Sequence, residues 1–169
     1  MIKQFIKKPV HVFIDAENLF YTQRTLGWLI SYEKLMRYFK DECGEETKVF
    51  VYTGLDENNT SQRKFLDMLT AHGFIVRTRV VKKFKKSDGG YAWKNNLDME
   101  LAFEMVETKD KYKTAVLISG DGDFAVPIVR IKRAGKQIIV MSTRGHISIE
   151  LLELAKYIDL KKLREKLKK

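Results

Sequence analysis

The chain is poor in cysteine and histidine, the side chains from which disulfides, thiol clusters and most zinc sites are built. Cys43 is its one cysteine, and His11, His72 and His146 are its three histidines, in 169 residues. A lone cysteine closes no internal disulfide and forms no thiolate cluster, which suits a reducing compartment, the cytoplasm. None of the histidines stands beside a plausible nucleophile, so all three read as structural or surface residues. Cys43, near an expected helix end, reads as inert. Proline occurs twice, at Pro9 and Pro127, and no Pro/Gly/Ser-rich linker interrupts the chain, so one domain over residues 1–169 is expected. No apolar run reaches membrane-spanning length. The opening "MIKQFIKKPV" lacks the apolar core of a signal peptide. The expectation is a soluble cytoplasmic protein with no membrane partner.

What is present points to a globular, basic protein. Hydrophobic residues make up 44% and charged residues 32%, enough apolar surface to bury a core. The formal net charge is +10, and an excess of that size favours nucleic acid or another anionic partner.

Short apolar runs alternate with helical periods. "VHVFID", "KVFVYT", "FIVRTRVV", "AVLIS" and "QIIVMS" read as five strands, rich in β-branched and aromatic residues. Helices are expected from Ser31 to Gly44, from about Asn59 to Gly73, over "LDMELAFEMVE", from about Phe124 to Ala134, and over "ISIELLELAKYI" as a long final helix. Trp28 and the aromatics around it read as core. Strands alternating with helices, with interiors apolar on both faces, predict a three-layer α/β/α sandwich on a mainly parallel, Rossmann-like sheet. Ligands of such sheets gather at the carboxyl ends of the strands.

The acidic residues fall at that edge. Asp15 ends the first strand. Ser119, Asp121 and Asp123 follow the fourth, and Asp98 opens the helix before it. Glu104 lies nearly two turns further along that helix. Each alone has a plain explanation: a turn, a helix cap or a dipole-favoured charge. Together they crowd negative charge at one edge, which requires a positive counterpart. With oxygen ligands only, that counterpart is Mg²⁺ or Mn²⁺ rather than zinc. Gly122 would let the turn between Asp121 and Asp123 bend sharply, and Asp123 is divided between metal ligand and helix cap.

"FIDAENLF", "LDMELAFEM" and "LISGDGDFAVPI" resemble, in order, the three motifs of the NYN domain family (LabA-like), part of the PIN-like nuclease superfamily. The resemblance implies a metal-dependent ribonuclease, an endonuclease, with Asp15, Asp98 and Asp121 at the positions that hold one or two Mg²⁺ or Mn²⁺ ions. It implies Asn18 as an orienting amide, Ser119 as the supporting hydroxyl before the last acids, and Asp123 as the second acid of its motif. Glu104 stands where many relatives carry Asp, making it a second-tier ligand. PIN-like proteins often pair, so a homodimer is possible. Haloacid-dehalogenase phosphatases need Asp-x-Asp after the first strand, where this chain has "DAE". Toprim sites need a Glu there.

Between the third strand and Asp98 runs a basic segment expected as a hairpin or loop over 82–96, turning at Ser87, Asp88, Gly89 and Gly90. Arg77, Arg79, Lys82, Lys83, Lys85, Lys86 and Lys94 could contact RNA phosphates there, with Phe84, Tyr91 and Trp93 near to stack on unpaired bases. The bland reading is a lysine-protected sheet edge. The basic end, 159–169, has Leu160, Leu163 and Leu167 at helical spacing, a helix or tail better suited to packing than to binding. The competing function is an RNA-binding or regulatory module on the same fold. Clustered acids disfavour it, since a pure binder gains nothing from negative charge beside phosphates.

Overall fold

A computed structural model describes residues 2–80, 82–85, 91–94 and 97–169, with the backbone alone for 82–85 and 91–94. In chain order the elements are β1 (Val10–Asp15), α1 (Ala16–Leu26), α2 (Tyr32–Cys43), β2 (Lys48–Leu55), α3 (Thr60–Ala71), β3 (Ile75–Val80), β4 (Lys82–Lys85) and β5 (Tyr91–Lys94). Then follow α4 (Asp98–Glu107), β6 (Thr114–Ile118), α5 (Ala125–Arg133), β7 (Gln137–Ser142), α6 (Ile149–Leu154), β8 (Lys156–Asp159) and α7 (Arg164–Leu167).

Six strands form one parallel sheet in the order β3-β2-β1-β6-β7-β8. The chain winds outward from β1 to β3 on one side, then returns to the other side of β1 through α4 and β6. The strand order therefore reverses between β1 and β6, and the crevice at their carboxyl ends is where such a fold offers a site. Each sheet face carries its own core. Val12, Ile14, Val51 and Val116 pack against α1, α2, α3 and α7. Phe13, Phe50, Leu117 and Val140 pack against α4, α5 and α6. The period-2 alternation of strand side chains explains why neighbours in one strand serve opposite cores.

The end of the chain corrects the sequence reading. The long final helix stops at Leu154, and Ala155 turns extended (φ −135°, ψ 159°). Lys156–Asp159 then joins β7 as the sixth strand, with Val140 opposite Tyr157. The stretch "KYID" carries two good strand formers, and the ladder offered by the open edge of β7 outweighs the helical spacing of the leucines before it. The basic end is packed. Leu160, Leu163 and Leu167 are buried, each contributing about 2 kcal/mol by leaving water, and the carbonyl of Leu167 accepts from the Ser31 amide at 2.8 Å.

β4 and β5 pair antiparallel as a separate ribbon, from Lys82 opposite Lys94 to Lys85 opposite Tyr91. The expected turn, Lys86, and Asn95 and Asn96 before α4 lie outside the described residues. Cys43 is buried, and burial pushes its thiol up to about 12, which keeps it in the unreactive protonated form. His11 is buried against the rings of Phe13, Phe50 and Tyr112. That burial, with Lys48 and Lys111 nearby, lowers its pKa to about 4.

Candidate active site

The β1–α1 junction is built around Asp15. Its backbone is still extended (φ −79°, ψ 102°), and its Oδ1 accepts the amide of Asn18 at 3.0 Å as the N-cap of α1. Its Oδ2 accepts the hydroxyl of Ser119 at 3.0 Å. The Oδ1 of Asn18 in turn accepts the Gly120 amide at 3.0 Å. The loops that leave two adjacent strands are thus cross-linked by two hydrogen bonds, and Asp15, which also caps α1, sits at their centre, buried.

Ser119 Oγ also accepts the Asp121 amide at 3.3 Å, and Asp121 Oδ1 accepts the Asp123 amide at 3.0 Å. This corrects the expected division of roles. Asp121 caps the short 3-10 turn Gly122–Phe124, and α5 begins after it with no side-chain cap. Asp123 is exposed and caps nothing. Gly122 has no positive φ, so the turn does not depend on its freedom. The demanding glycine is Gly120, where an added Cβ would lie 1.4 Å from the His146 carbonyl oxygen.

Asp98 approaches from the other side, as the first residue of α4. It shares a small cleft with Asp15, Glu17, Tyr52, Leu97 and Leu101. Burial pushes its carboxyl up to about 6, aided by the negative charges of Asp15, Asp121, Glu17 and Asp123. Burial likewise raises Asp15, against the opposing pull of its bonds from Asn18 and Ser119. Glu17 was not anticipated from the sequence. It lies two residues beyond Asp15 in the first turn of α1, and only the approach of α4 makes it a neighbour of Asp98.

The raised pKa of Asp98 has a consequence for stability. The folded chain holds this proton more tightly than the unfolded chain, so ionisation costs stability as pH rises from about 4 to about 6, and the loss persists above. Asp98→Asn removes that loss. After discounting for the half-exposed setting, the metal-free variant should be about 1 kcal/mol more stable at pH 7.5 and melt about 3 °C higher. Thermal melts in chelator across pH check this: the gap should close below about pH 4, and a pH-independent gap contradicts it.

Glu104, expected as a second-tier ligand, is engaged elsewhere. Its Oε1 and Oε2 accept Nη2 and Nε of Arg77 at 2.8 and 2.9 Å, and Oε2 also accepts the Tyr52 hydroxyl at 2.8 Å. The Arg77 bonds hold its carboxyl below the usual range. The longer Glu arm reaches β2 and β3 rather than the acidic cleft, and this clamp fixes α4, and so Asp98, against the sheet. Arg77 and Arg79, expected at RNA, are paired with Glu104 and with Glu100, the latter at 2.9 Å. Lys82, Lys83, Lys85 and Lys94 lie on the β4–β5 ribbon that leads to α4.

The donors Asp15, Asp98 and Asp121 are all oxygen and all anionic, which fits a hard divalent cation. Burial is the largest cause of the upward shift of Asp98, and the neighbouring carboxylates add to it. Among the described residues, no three His, Cys, Asp or Glu side chains are drawn close enough to share one ion. Binding an ion therefore requires the half-buried Asp98 and Asp121 to turn towards Asp15.

The NYN domain matches residues 9–161. The Low amplitude and bright protein LabA of Synechococcus elongatus is 36% identical over 162 residues, covering 94% of this chain and 87% of that protein. Among solved structures, a protein of unknown function from Vibrio parahaemolyticus superposes with a TM-score of 0.73 over 89% of this chain and 91% of its own, at 24% identity. At that identity the likeness concerns the fold.

Proposed function

This chain belongs to the NYN domain family, and on that basis we propose that it is a metal-dependent ribonuclease that hydrolyses RNA phosphodiester bonds at the β1/β6 crevice. The observation that carries the reading is the acidic cleft that Asp98 shares with Asp15 and Glu17, in which burial and neighbouring carboxylates push Asp98 up to about 6, at a position where the strand order reverses. Asp15, Asp98 and Asp121 would hold one or two Mg²⁺ or Mn²⁺ ions. A divalent ion bound there supplies water activated for attack and positive charge for the phosphodiester as negative charge builds.

The chain's own residues prepare that site. Asn18 and Ser119 fix both oxygens of Asp15, so a ligand is held without paying to order it. Asp98 and Asp121 lend rotatable carboxylates from two other elements. The Arg77–Glu104–Tyr52 clamp keeps α4 in place, and the lysines of the β4–β5 ribbon are positioned in the chain to guide a phosphate backbone towards Asp98. The compartment would be the cytoplasm, and a homodimer remains compatible with the family.

The test is cleavage of labelled RNA, single-stranded and duplex, by the purified protein with Mg²⁺, with Mn²⁺, or with excess chelator. Cleavage that requires metal and stops on chelation is expected. Cleavage undiminished by chelator refutes the metal role. Salt-sensitive binding without cleavage under either metal assigns the protein to RNA binding instead.

A further inference from the structure

Beside the acidic cleft lies a larger open cavity of about 680 Å³, within the range of small-ligand sites. Glu17 lines both the cavity and the cleft, so the two adjoin. Phe20 and Tyr21 of α1 flank the cavity with their rings 53% and 54% exposed. They depart from the expectation that Trp28 and the aromatics around it are core, which Trp28 itself, buried, meets. The Arg24 guanidinium lies 5.0 Å from the Phe20 ring centre and 5.3 Å from that of Tyr21, adding a cation to the aromatic pair. Leaving such rings in water costs free energy unless a partner covers them.

Tyr32 forms a further part of the wall, wedged edge-on against Phe65 and Phe74 at 5.2 and 5.9 Å. The wall also carries two carboxylates, Glu17 and Asp56. They repel a phosphate and accept from the amino and imino groups of a base.

We propose that this cavity is a nucleobase subsite, in which an unpaired RNA base stacks on Phe20 and Tyr21 while the neighbouring phosphodiester lies at Asp15 and Asp98. The inference rests on the ribonuclease reading for the identity of the strand. It adds that the substrate is single-stranded at that position, because a paired base must first be unpaired and unstacked, at a cost in free energy, to enter. Tyr32 is placed to donate to the base or to its ribose.

The test separates binding from cleavage. Affinity for a fluorescein-labelled single-stranded RNA decamer is measured by anisotropy in chelator, for wild type and for Phe20→Ala, Tyr21→Ala and the double variant, with thermal melts confirming the fold. Loss of a stacking ring should weaken binding about tenfold, with duplex RNA of the same sequence unaffected. Decamers carrying one abasic position complete the cycle. Removing one particular base should weaken wild type similarly and leave the double variant indifferent. Unchanged affinity in the double variant overturns the subsite, as does equal loss for duplex RNA. If affinity is unchanged but the variants sediment with a lower mass, the rings serve a second copy of the chain, and the proposal also fails. Failure of the ribonuclease reading shows separately, as absence of metal-dependent cleavage by wild type.

Discussion

Replacing Asp15 by Asn is expected to lower metal-dependent RNA cleavage by at least about a thousandfold while leaving the protein folded. The two halves of that result have different causes. In the native chain, Asp15 Oδ1 accepts the Asn18 amide and Oδ2 accepts the Ser119 hydroxyl. An asparagine keeps the first bond through its amide oxygen, and asparagine is as good an N-cap as aspartate. Its NH₂ can donate to Ser119 Oγ, whose own proton then turns elsewhere. The variant also removes a buried charge. Burial is the largest influence on the Asp15 carboxyl, raising its pKa, so the neutral amide is easier to bury and stability should hold or rise at neutral pH. What is lost is the one anionic ligand fixed on both oxygens. An amide oxygen carries no full charge and binds Mg²⁺ weakly. Cleavage assays paired with thermal melts check both halves. Retained cleavage refutes the role of Asp15, and a collapsed melting temperature would show that the carboxylate is structural.

Much of this site was legible because its acids sit at the ends of elements. Asp15 ends a mostly apolar strand, Asp121 follows another, and Asp98 opens a helix beside a clear stripe of Leu97, Leu101 and Met105, all three buried. In a parallel sheet those positions share an edge whatever the detailed packing. The roles of individual residues depended on contacts that no local pattern encodes. Asp121 rather than Asp123 became the cap because Oδ1 of the former reaches the amide two residues ahead, a local bond that the spacing of both aspartates permits equally. Glu104 was drawn away from the cleft by Arg77 and Tyr52, which come from strands 27 and 52 residues distant. The helix α1 was hidden by its own composition: of its four buried positions, Ala16 and Thr22 give little hydrophobic signal. Strand β8 was hidden for the opposite reason, since the leucines of α6 continue a helical rhythm that only the open edge of β7 interrupts.

The same dependence on distant contacts makes Gly120→Ala the substitution with the largest expected effect on stability. Gly120 is buried between Ser119 and Asp121 and has no positive φ, so its backbone conformation is open to any residue. Space is the constraint. A methyl group there would sit 1.4 Å from the His146 carbonyl oxygen, 2.5 Å from the His146 carbonyl carbon and 2.9 Å from Ser142 Oγ. Two of those atoms are backbone, so no side-chain rotation relieves the overlap, and the 143–148 loop must move. That loop is held by the Ser148 amide donating to the Gly120 carbonyl at 2.9 Å, and on the other side the Gly120 amide donates to Asn18 at 3.0 Å. Displacing either strains the cross-link that centres Asp15. Overpacking of this kind costs about 3 kcal/mol, roughly a 9 °C drop in melting temperature for a chain of this size. Gly122→Ala provides the contrast. There the nearest atoms are Ser148 Oγ at 3.3 Å and Ser148 Cβ at 3.4 Å, a side chain that can yield, so its melting temperature should stay within about 3 °C of wild type. Equal losses in the two variants would mean that the turn, and not the approach of His146, sets the need for glycine.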